Sequence, residues 1–181
     1  MTDIFISVGS NVDAERNVRF ALAALTEQLG PIELSPWYVN PAVGFAGDDF
    51  LNLVVRAEST QPPASVIGSL REIERAGGRA AGAPRWGPRT LDIDLLLYGS
   101  AVEPALRIPR ADVLRAAYVL CPLTDLAPEL RHPVTGQKLR DVWTAHPSAR
   151  APWTRHGRIM STSVPGRPES VVQTQSVAAA E

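Results

Sequence analysis

Strand and helix patterns alternate along residues 3–99 in the order β-α-β-β-α-β. The strand-like segments read DIFISVG, IELSPWYV, FLNLVVRAE and TLDIDLLLYG, and turn-forming residues separate them. The two helix-like segments, residues 13–29 and a second that opens at Pro62 and ends near Gly77, carry apolar residues at helical spacing. This order predicts an α+β fold, a split βαβ sandwich in which helices pack against the sheet.

The length and composition fit one domain with a tail. The chain has 181 residues, of which 45% are hydrophobic, and a formal net charge of −1 at pH 7. A charge so close to zero gives no global field that would attract nucleic acid or an anionic membrane. We place the domain at residues 1–146. We expect residues 147–181, where periodicity is lost among Pro, Ser, Arg, Gln and Ala, to be a largely disordered tail.

The cysteine content and the N-terminal segment favour a cytoplasmic protein. Cys121 is the one cysteine of the chain, so no internal disulfide can form, as is usual in a reducing compartment. The segment MTDIFISVGSN has neither a basic start nor a long apolar stretch, so we expect no signal peptide. No run of residues approaches the roughly 18 apolar positions that suggest a membrane span.

Two aspartates interrupt the aliphatic fourth strand. Asp92 and Asp94 are two positions apart, so they share a face with Cα atoms roughly 6.5 Å apart, while Ile93, Leu95 and Leu97 are expected to face the core. Carboxylates this close repel each other, and a divalent cation relieves the repulsion. Oxygen ligands favour Mg²⁺ over zinc, and two ions would form a clamp for phosphoryl transfer. The plain alternative is a strand with one solvent-facing side.

Arginines precede the aspartate pair. Arg79, Arg85 and Arg89 can bind phosphate oxygens, and Trp86 adds an aromatic plane beside them. Carboxylates for metal and arginines for phosphate together indicate a nucleotide site. It is not a P-loop, because GRAAGAP lacks the lysine that follows the glycines of that motif, and no G-x-G-x-x-G follows the first strand.

The stretch RWGPRTLDIDLLLYG resembles the signature of the hydroxymethyldihydropterin pyrophosphokinases, enzymes of folate biosynthesis. SVGSN, FLNLVV and YVLCPLTDLAPEL resemble further family segments in the same order, so that the resemblance covers about residues 3–146. It implies a ferredoxin-like βαββαβ sandwich with an antiparallel or mixed sheet. It also implies Mg²⁺-dependent transfer of pyrophosphate from ATP to the hydroxymethyl group of 6-hydroxymethyl-7,8-dihydropterin, with release of AMP.

The resemblance assigns roles to individual residues. Asp92 and Asp94 match ligands of two Mg²⁺ ions, and Arg79 and Arg89 match arginines that stabilise charge during transfer, which makes these four the predicted catalytic residues. The predicted pterin contacts are Asn40, Pro41, Val43, Phe50, Asn52 and Tyr118, with Phe50 and Tyr118 as the stacking pair. The predicted ATP contacts are Ile67, Arg71, Arg79, Arg85, Trp86, Arg89, Leu95, Arg110 and Arg115.

The sequence departs from the family pattern at several positions. Ala81 and Ala116 stand where arginines are expected, and Arg110 stands where a histidine commonly follows the dipeptide IP. We hypothesise that Arg110 and Arg115 partly replace the missing phosphate contacts, the alternative being that both are surface charges. The same departures leave a catalytically impaired protein that binds pterin or nucleotide as the alternative function.

Further calls concern the second helix and the binding partners. Glu74 matches an acidic family position on that helix, and a solvated helix charge is an equal alternative. The expected partners are small molecules, ATP and the reduced pterin, and the family suggests a monomer. A nucleic-acid-binding module of the same fold is disfavoured, because the net charge is wrong and the core strands lack an aromatic, basic face.

Overall fold

The computed structural model describes residues 1–42, 47–78 and 88–156. This part of the chain forms strands and helices together with two short 3-10 turns, Pro104–Leu106 and Pro147–Arg150. In chain order the elements are β1 (Thr2–Ser10), α1 (Ala14–Leu29), β2 (Glu33–Leu34), β3 (Tyr38–Asn40), β4 (Phe50–Ser59), α2 (Pro63–Ala76), β5 (Asp92–Tyr98), α3 (Asp112–Arg115), α4 (Ala117–Leu126), α5 (Leu139–Ala145) and β6 (Thr154–Arg155).

The strands of the described part of the chain form one antiparallel sheet. Its order is β5-β1-β4-β3-β6, and β2 pairs with β4 beside β3. The central pair, β1 and β4, runs in register from Thr2 opposite Ser59 to Ser10 opposite Leu51. The order β5-β1-β4-β3 is that of a βαββαβ sandwich, so the predicted fold class is confirmed.

Side chains that alternate along the strands build a separate core on each face of the sheet. On one face α1 and α2 bury a cluster that includes Ile4, Ile6, Val8, Val18, Leu25, Leu53, Val66, Leu70, Ile73 and Ile93. On the other face α3, α4 and α5 bury a smaller cluster that includes Phe5, Val54, Leu96, Leu97, Val113, Leu120, Leu123 and Leu139. The helices of the second face cover only part of the sheet, and polar strand residues occupy the remainder.

The second predicted strand is interrupted in the structure. The pattern IELSPWYV predicts one strand, whereas the chain forms β2 and β3 with Ser35 and Pro36 between them. Proline has no N–H to donate to the ladder, so pairing stops there. The Ser35 hydroxyl accepts a hydrogen bond from the Val54 N–H at 2.9 Å and takes the place of the lost ladder partner.

A β-bulge interrupts the pairing of β5 with β1. Phe5 lies opposite Leu97 and Ile6 lies opposite Leu95, so that Leu96 is the extra residue. Leu96 and Leu97 consequently both pack against the α4–α5 side, and the prediction that Leu97 shares the face of Leu95 is wrong. The bulge leaves the Leu96 carbonyl free to accept a hydrogen bond from the Arg110 N–H at 2.9 Å.

The sequence analysis placed the end of the domain at residue 146. In the structure, residues 147–156 also pack against the domain. Pro147–Arg150 forms a 3-10 turn, and β6 pairs with β3 at the edge of the sheet. The rest of the predicted tail, residues 157–181, lies outside the described residues. Within the described ranges, no helix is long and apolar enough to cross a membrane.

Candidate active site

The register of four strands gathers polar side chains on one face of the sheet. Asn52 and Asp92 both lie opposite Gly9 of β1, one on each side of it, and Phe50 lies opposite Asn40. Residues directly opposite each other in antiparallel strands point to the same face. The amides of β3 and β4 therefore share a surface with the carboxylates of β5.

Gly9 allows an asparagine pair to form at the centre of this surface. A Cβ atom at Gly9 would lie 2.7 Å from the Asn52 Oδ1 atom, which is closer than such contacts occur. The Asn52 Nδ2 donates a hydrogen bond to Asn40 Oδ1 at 3.1 Å, and Asn40 is only 9% exposed. An ordered amide pair of this kind can recognise the donors and acceptors along the edge of a flat heterocycle.

The two aspartates of β5 are partly exposed on the same face. Tyr118, at the first turn of α4, faces them across the surface. Burial raises the pKa of the Tyr118 phenol, and the negative charges of Asp112, Asp92 and Asp94 raise it further. The ring is 41% exposed, which leaves room for a ligand against it. The carboxylates of Asp92 and Asp94 and the ring of Tyr118 therefore lie near one another on this side of the sheet.

Arg110 contacts one of the two aspartates directly. Its Nη2 donates to Asp94 Oδ2 at 2.5 Å, and its Nε lies 3.5 Å from Asp112 Oδ2. The backbone hydrogen bond to the bulged Leu96 fixes the position from which Arg110 reaches the strand. Arg115, the other arginine proposed as a replacement, lies at the last turn of α3 with an exposed side chain.

The turn after β1 holds the segment that leads into β5. The Ser10 hydroxyl donates to the Thr90 carbonyl at 2.7 Å. Asn11 donates its N–H to the Arg89 carbonyl at 3.0 Å and accepts the Arg89 N–H at 2.7 Å. The Asn11 amide also donates to the Asp48 carbonyl at 3.1 Å. Asn11 therefore joins two segments that border the site, a role that sequence reasoning missed because SVGSN reads only as a turn.

Glu74 lies behind the aspartates. It is 8% exposed, and its Oε1 accepts a hydrogen bond from the Ile93 N–H at 2.9 Å. The alternative of a solvated helix charge is therefore wrong, since the carboxylate satisfies an outward N–H of an edge strand. Ile93 stands between Asp92 and Asp94, so this bond fixes the backbone that carries both.

The other predicted contacts are distributed over several elements. Ile67 is partly buried and Arg71 exposed on α2, Pro41 is exposed after β3, and Phe50 is partly buried. Leu95 is buried in the α1–α2 core, so its side chain is on the opposite face from Asp94. Val43, Arg79, Arg85 and Trp86 lie outside the described residues.

Comparison with known proteins agrees with this fold. The family model for 7,8-dihydro-6-hydroxymethylpterin-pyrophosphokinase matches residues 5–128. The 2-amino-4-hydroxy-6-hydroxymethyldihydropteridine pyrophosphokinase of Pseudomonas aeruginosa is 35% identical over 150 residues, which cover 80% of this chain and 91% of that protein. The enzyme of the same name from Aquifex aeolicus is 30% identical, over 78% of this chain and 90% of that protein.

Two longer proteins are also similar. The folic acid synthesis protein fol1 of Schizosaccharomyces pombe is 31% identical over 80% of this chain, which covers 20% of that protein. A crystal structure of Plasmodium falciparum HPPK-DHPS superposes with a TM-score of 0.63 at 13% identity and covers 79% of this chain and 45% of that one. This chain thus spans less than half of that solved chain, and the structural likeness supports the fold.

The sandwich fold and these matches define the class of the protein, an α+β pyrophosphokinase domain. The chain belongs to the 7,8-dihydro-6-hydroxymethylpterin-pyrophosphokinase family.

Proposed function

We propose that this chain transfers the pyrophosphoryl group of ATP to the hydroxymethyl group of 6-hydroxymethyl-7,8-dihydropterin and releases AMP, a step of folate biosynthesis. Family membership and the names of the relatives support the reaction. The observation that carries the proposal for this chain is the shared face, where the Asn40–Asn52 amide pair lies beside Asp92 and Asp94. One surface thus offers groups for a heterocycle next to groups for a triphosphate.

The pterin binds at the amide end of this face. Phe50 lies opposite Asn40 at the start of β4, and Tyr118, which is 41% exposed, supplies the second aromatic ring. A flat ring stacked between two aromatic side chains loses its hydration on both sides, while an amide in its plane selects its hydrogen-bonding edge. Asn52 is the amide best placed to do so, because Asn40 holds it in one orientation.

The triphosphate binds at the carboxylate end, with two Mg²⁺ ions held by Asp92 and Asp94. Two carboxylates on one strand face suit an oxygen-preferring ion. Among the described residues there is no group of three or more His, Cys, Asp or Glu side chains that could hold a metal. When bound, the ions neutralise phosphate charge and lower the pKa of the substrate hydroxyl.

The side chains of the protein contribute position and charge. The hydroxyl oxygen of the pterin loses its proton to solvent and forms a bond to the β-phosphorus, while the bond from that phosphorus to the oxygen of the α-phosphate breaks and AMP leaves with that oxygen. Two arginines flank the aspartates in sequence and are anchored through their backbones. Asn11 holds the backbone of Arg89, and the bulge of β5 holds the backbone of Arg110. Positive groups whose backbones are anchored in this way stabilise the charge that moves to the leaving phosphate.

Arg79, Arg85 and Trp86 complete the proposed phosphate site, and Ile67, Arg71 and Leu95 the adenine site. Leu95 contributes its backbone, because its side chain is in the core. The protein works as a cytoplasmic monomer. Sedimentation analysis that gives a stable dimer would contradict that part of the proposal.

The alternative, a binding protein with impaired catalysis, is favoured by the alanines at positions 81 and 116. An assay for AMP from ATP, Mg²⁺ and the reduced pterin separates the two functions. AMP formation that requires the pterin supports the enzyme. Nucleotide and pterin binding by calorimetry without AMP formation supports the alternative.

A further inference from the structure

We propose that the C-terminal strap, residues 147–156, positions the pterin-binding end of β3, with Arg155 as a positioning residue. The inference rests on the proposed function. The strap lies beyond residue 128, where the family match ends. It therefore adds a part of the site that the motifs of the sequence do not reveal.

The backbone of the strap pairs with β3 immediately before Asn40. In β6, Arg155 lies opposite Tyr38 and Thr154 opposite Val39, and the His156 N–H donates to the Trp37 carbonyl at 2.8 Å. β3 has only three residues. Without β6 this short strand would be held by β4 alone, and its outer N–H and C=O groups would face solvent.

A side-chain cluster at the same junction joins the buried Tyr38 to Asp125 and Arg155, both of which are exposed. The Tyr38 hydroxyl donates to Asp125 Oδ2 at 2.5 Å and accepts from Arg155 Nε at 3.1 Å, and Arg155 Nη2 contacts the same Asp125 oxygen at 3.0 Å. These bonds are chemically compatible, because the Tyr38 hydroxyl has one hydrogen to donate to the carboxylate and a lone pair to accept from the guanidinium. Tyr38 is 2% exposed. The cluster joins β3, α4 and the strap.

The strap has its own anchor on α5. Trp153 packs edge-on against Tyr38, with ring centroids 6.1 Å apart, and against Trp143, with centroids 5.5 Å apart. Its indole N–H donates to the Ser148 carbonyl at 2.9 Å. Arg155 is therefore attached to a folded segment and does not hang from a free end.

Tyr38 transmits this position to the amide pair. Tyr38 and Asn40 are two residues apart on one strand, so they share a face, and Tyr38 lies opposite Asn52 in the register. The Asn52–Asn40 hydrogen bond is 3.1 Å long, so a movement of β3 by about 1 Å breaks it. A misplacement of this size can lower the reaction rate, or the affinity for a ligand that must be held in one position, by up to about a hundredfold.

Arg155→Ala and Tyr38→Phe test the role. We expect each to raise the KM for the pterin about tenfold with little change in the KM for ATP, since the cluster holds β3 and not β5. Arg155→Lys, which keeps one donor, should restore part of the loss. Arg150→Ala removes an exposed arginine from the same strap and should leave both KM values unchanged.

The outcomes separate the inference from the proposed function. A wild-type chain that forms no AMP contradicts the proposed function. An active wild type whose folded Arg155→Ala and Tyr38→Phe variants keep a normal pterin KM contradicts the strap inference alone. A parallel rise in both KM values also contradicts it, because that pattern reports general loosening of the fold. Tyr38→Phe keeps the buried ring, so it provides a folded variant should Arg155→Ala fail to fold.

Discussion

Arg110 places a positive charge next to the carboxylates of the candidate site. Carboxylates that share a face repel each other, and a nearby cation removes the repulsion. Arg110 lies 2.5 Å from Asp94 and 3.5 Å from Asp112, so the protein itself supplies a positive charge at the edge of β5. The family resemblance leads us to expect a histidine at this position.

Asp92→Asn and Asp94→Asn each remove one carboxylate with almost no change in shape. We expect each to lower AMP formation by at least about a hundredfold, because a preorganised electrostatic contact is lost, while the circular dichroism spectrum and melting temperature stay near wild type. Asp141→Asn, an exposed carboxylate on α5, is the matched control and should keep full activity. Near-normal turnover of either strand variant would remove the basis of the metal assignment.

Arg110→Ala tests whether the arginine and a metal compete for Asp94. Without nucleotide, we expect Mn²⁺ to bind this variant roughly tenfold more tightly than wild type, because the metal no longer displaces a guanidinium. Calorimetry or electron paramagnetic resonance measures the dissociation constant with Mn²⁺ alone. Turnover should fall if the released guanidinium also contacts phosphate. Arg115→Ala is the control for Mn²⁺ binding, and equal affinities in all three proteins would contradict the competition.

β5 illustrates how an edge strand is made rigid. An edge strand presents unpaired N–H and C=O groups along one side. Here the Glu74 carboxylate accepts from the Ile93 N–H, and the Leu96 carbonyl accepts from the Arg110 N–H. Both bonds form on the side away from β1. The strand is therefore held on both sides along the segment that carries the aspartates.

Periodicity predicted the main elements well, since α1, α2, β1 and β4 begin and end within about two residues of their sequence signals. It did not predict the bulge at Leu96. In a run of three leucines, an inserted residue exchanges one apolar side chain for another and leaves no mark in the pattern. The contacts of Glu74 and Arg110 depend on strand edges that only the assembled sheet creates, so the sequence identified both residues but not their partners.

The hairpin from Arg131 to Lys138 carries a buried histidine with a predictable pH effect. His132 Nδ1 accepts hydrogen bonds from the N–H groups of Val134 and Thr135, both at 3.3 Å, and burial lowers the pKa of the imidazole below 6.5. Above pH 6.5 both folded and unfolded states are neutral at this site, so its contribution is constant. As the pH falls below 6.5, the unfolded state takes up the proton first and the free energy of unfolding decreases.

Urea unfolding at pH 7.5 and pH 5 measures this effect. Part of the wild-type loss of stability between these values should disappear in His132→Asn, which keeps an acceptor for the turn but does not titrate. Identical pH dependence in wild type and His132→Asn would show that His132 does not contribute to it.

Across the whole molecule, the site lies where the two faces of the sheet are unequally covered. Among the described residues, α1 and α2 cover one face, whereas α3, α4 and α5 cover the other only in part, and Asn52, Asp92 and Asp94 on that face are partly exposed. Segments far apart in the chain meet at this end of the sheet. Asn11, which is 4% exposed, bonds to Arg89 on one side and to Asp48 on the other, so it couples the carboxylate end to the segment before Phe50.

Asn11→Ala should therefore affect both substrates, in contrast to Arg155→Ala. Loss of the amide leaves the Arg89 N–H and the Asp48 carbonyl without this partner, which should lower the free energy of unfolding by about 1–3 kcal/mol. The KM values for ATP and the pterin should rise together, because the turn no longer fixes the segments on either side of the site.

Asn17→Ala is the matched control for that change. Its amide donates to the Val12 carbonyl at 2.6 Å, so it stabilises the same turn without reaching either segment. We expect a comparable loss of stability with unchanged KM values. If both variants lower stability alike and neither changes a KM, Asn11 serves the fold alone. If Asn11→Ala raises the KM of only one substrate, the two ends of the site are not coupled through it.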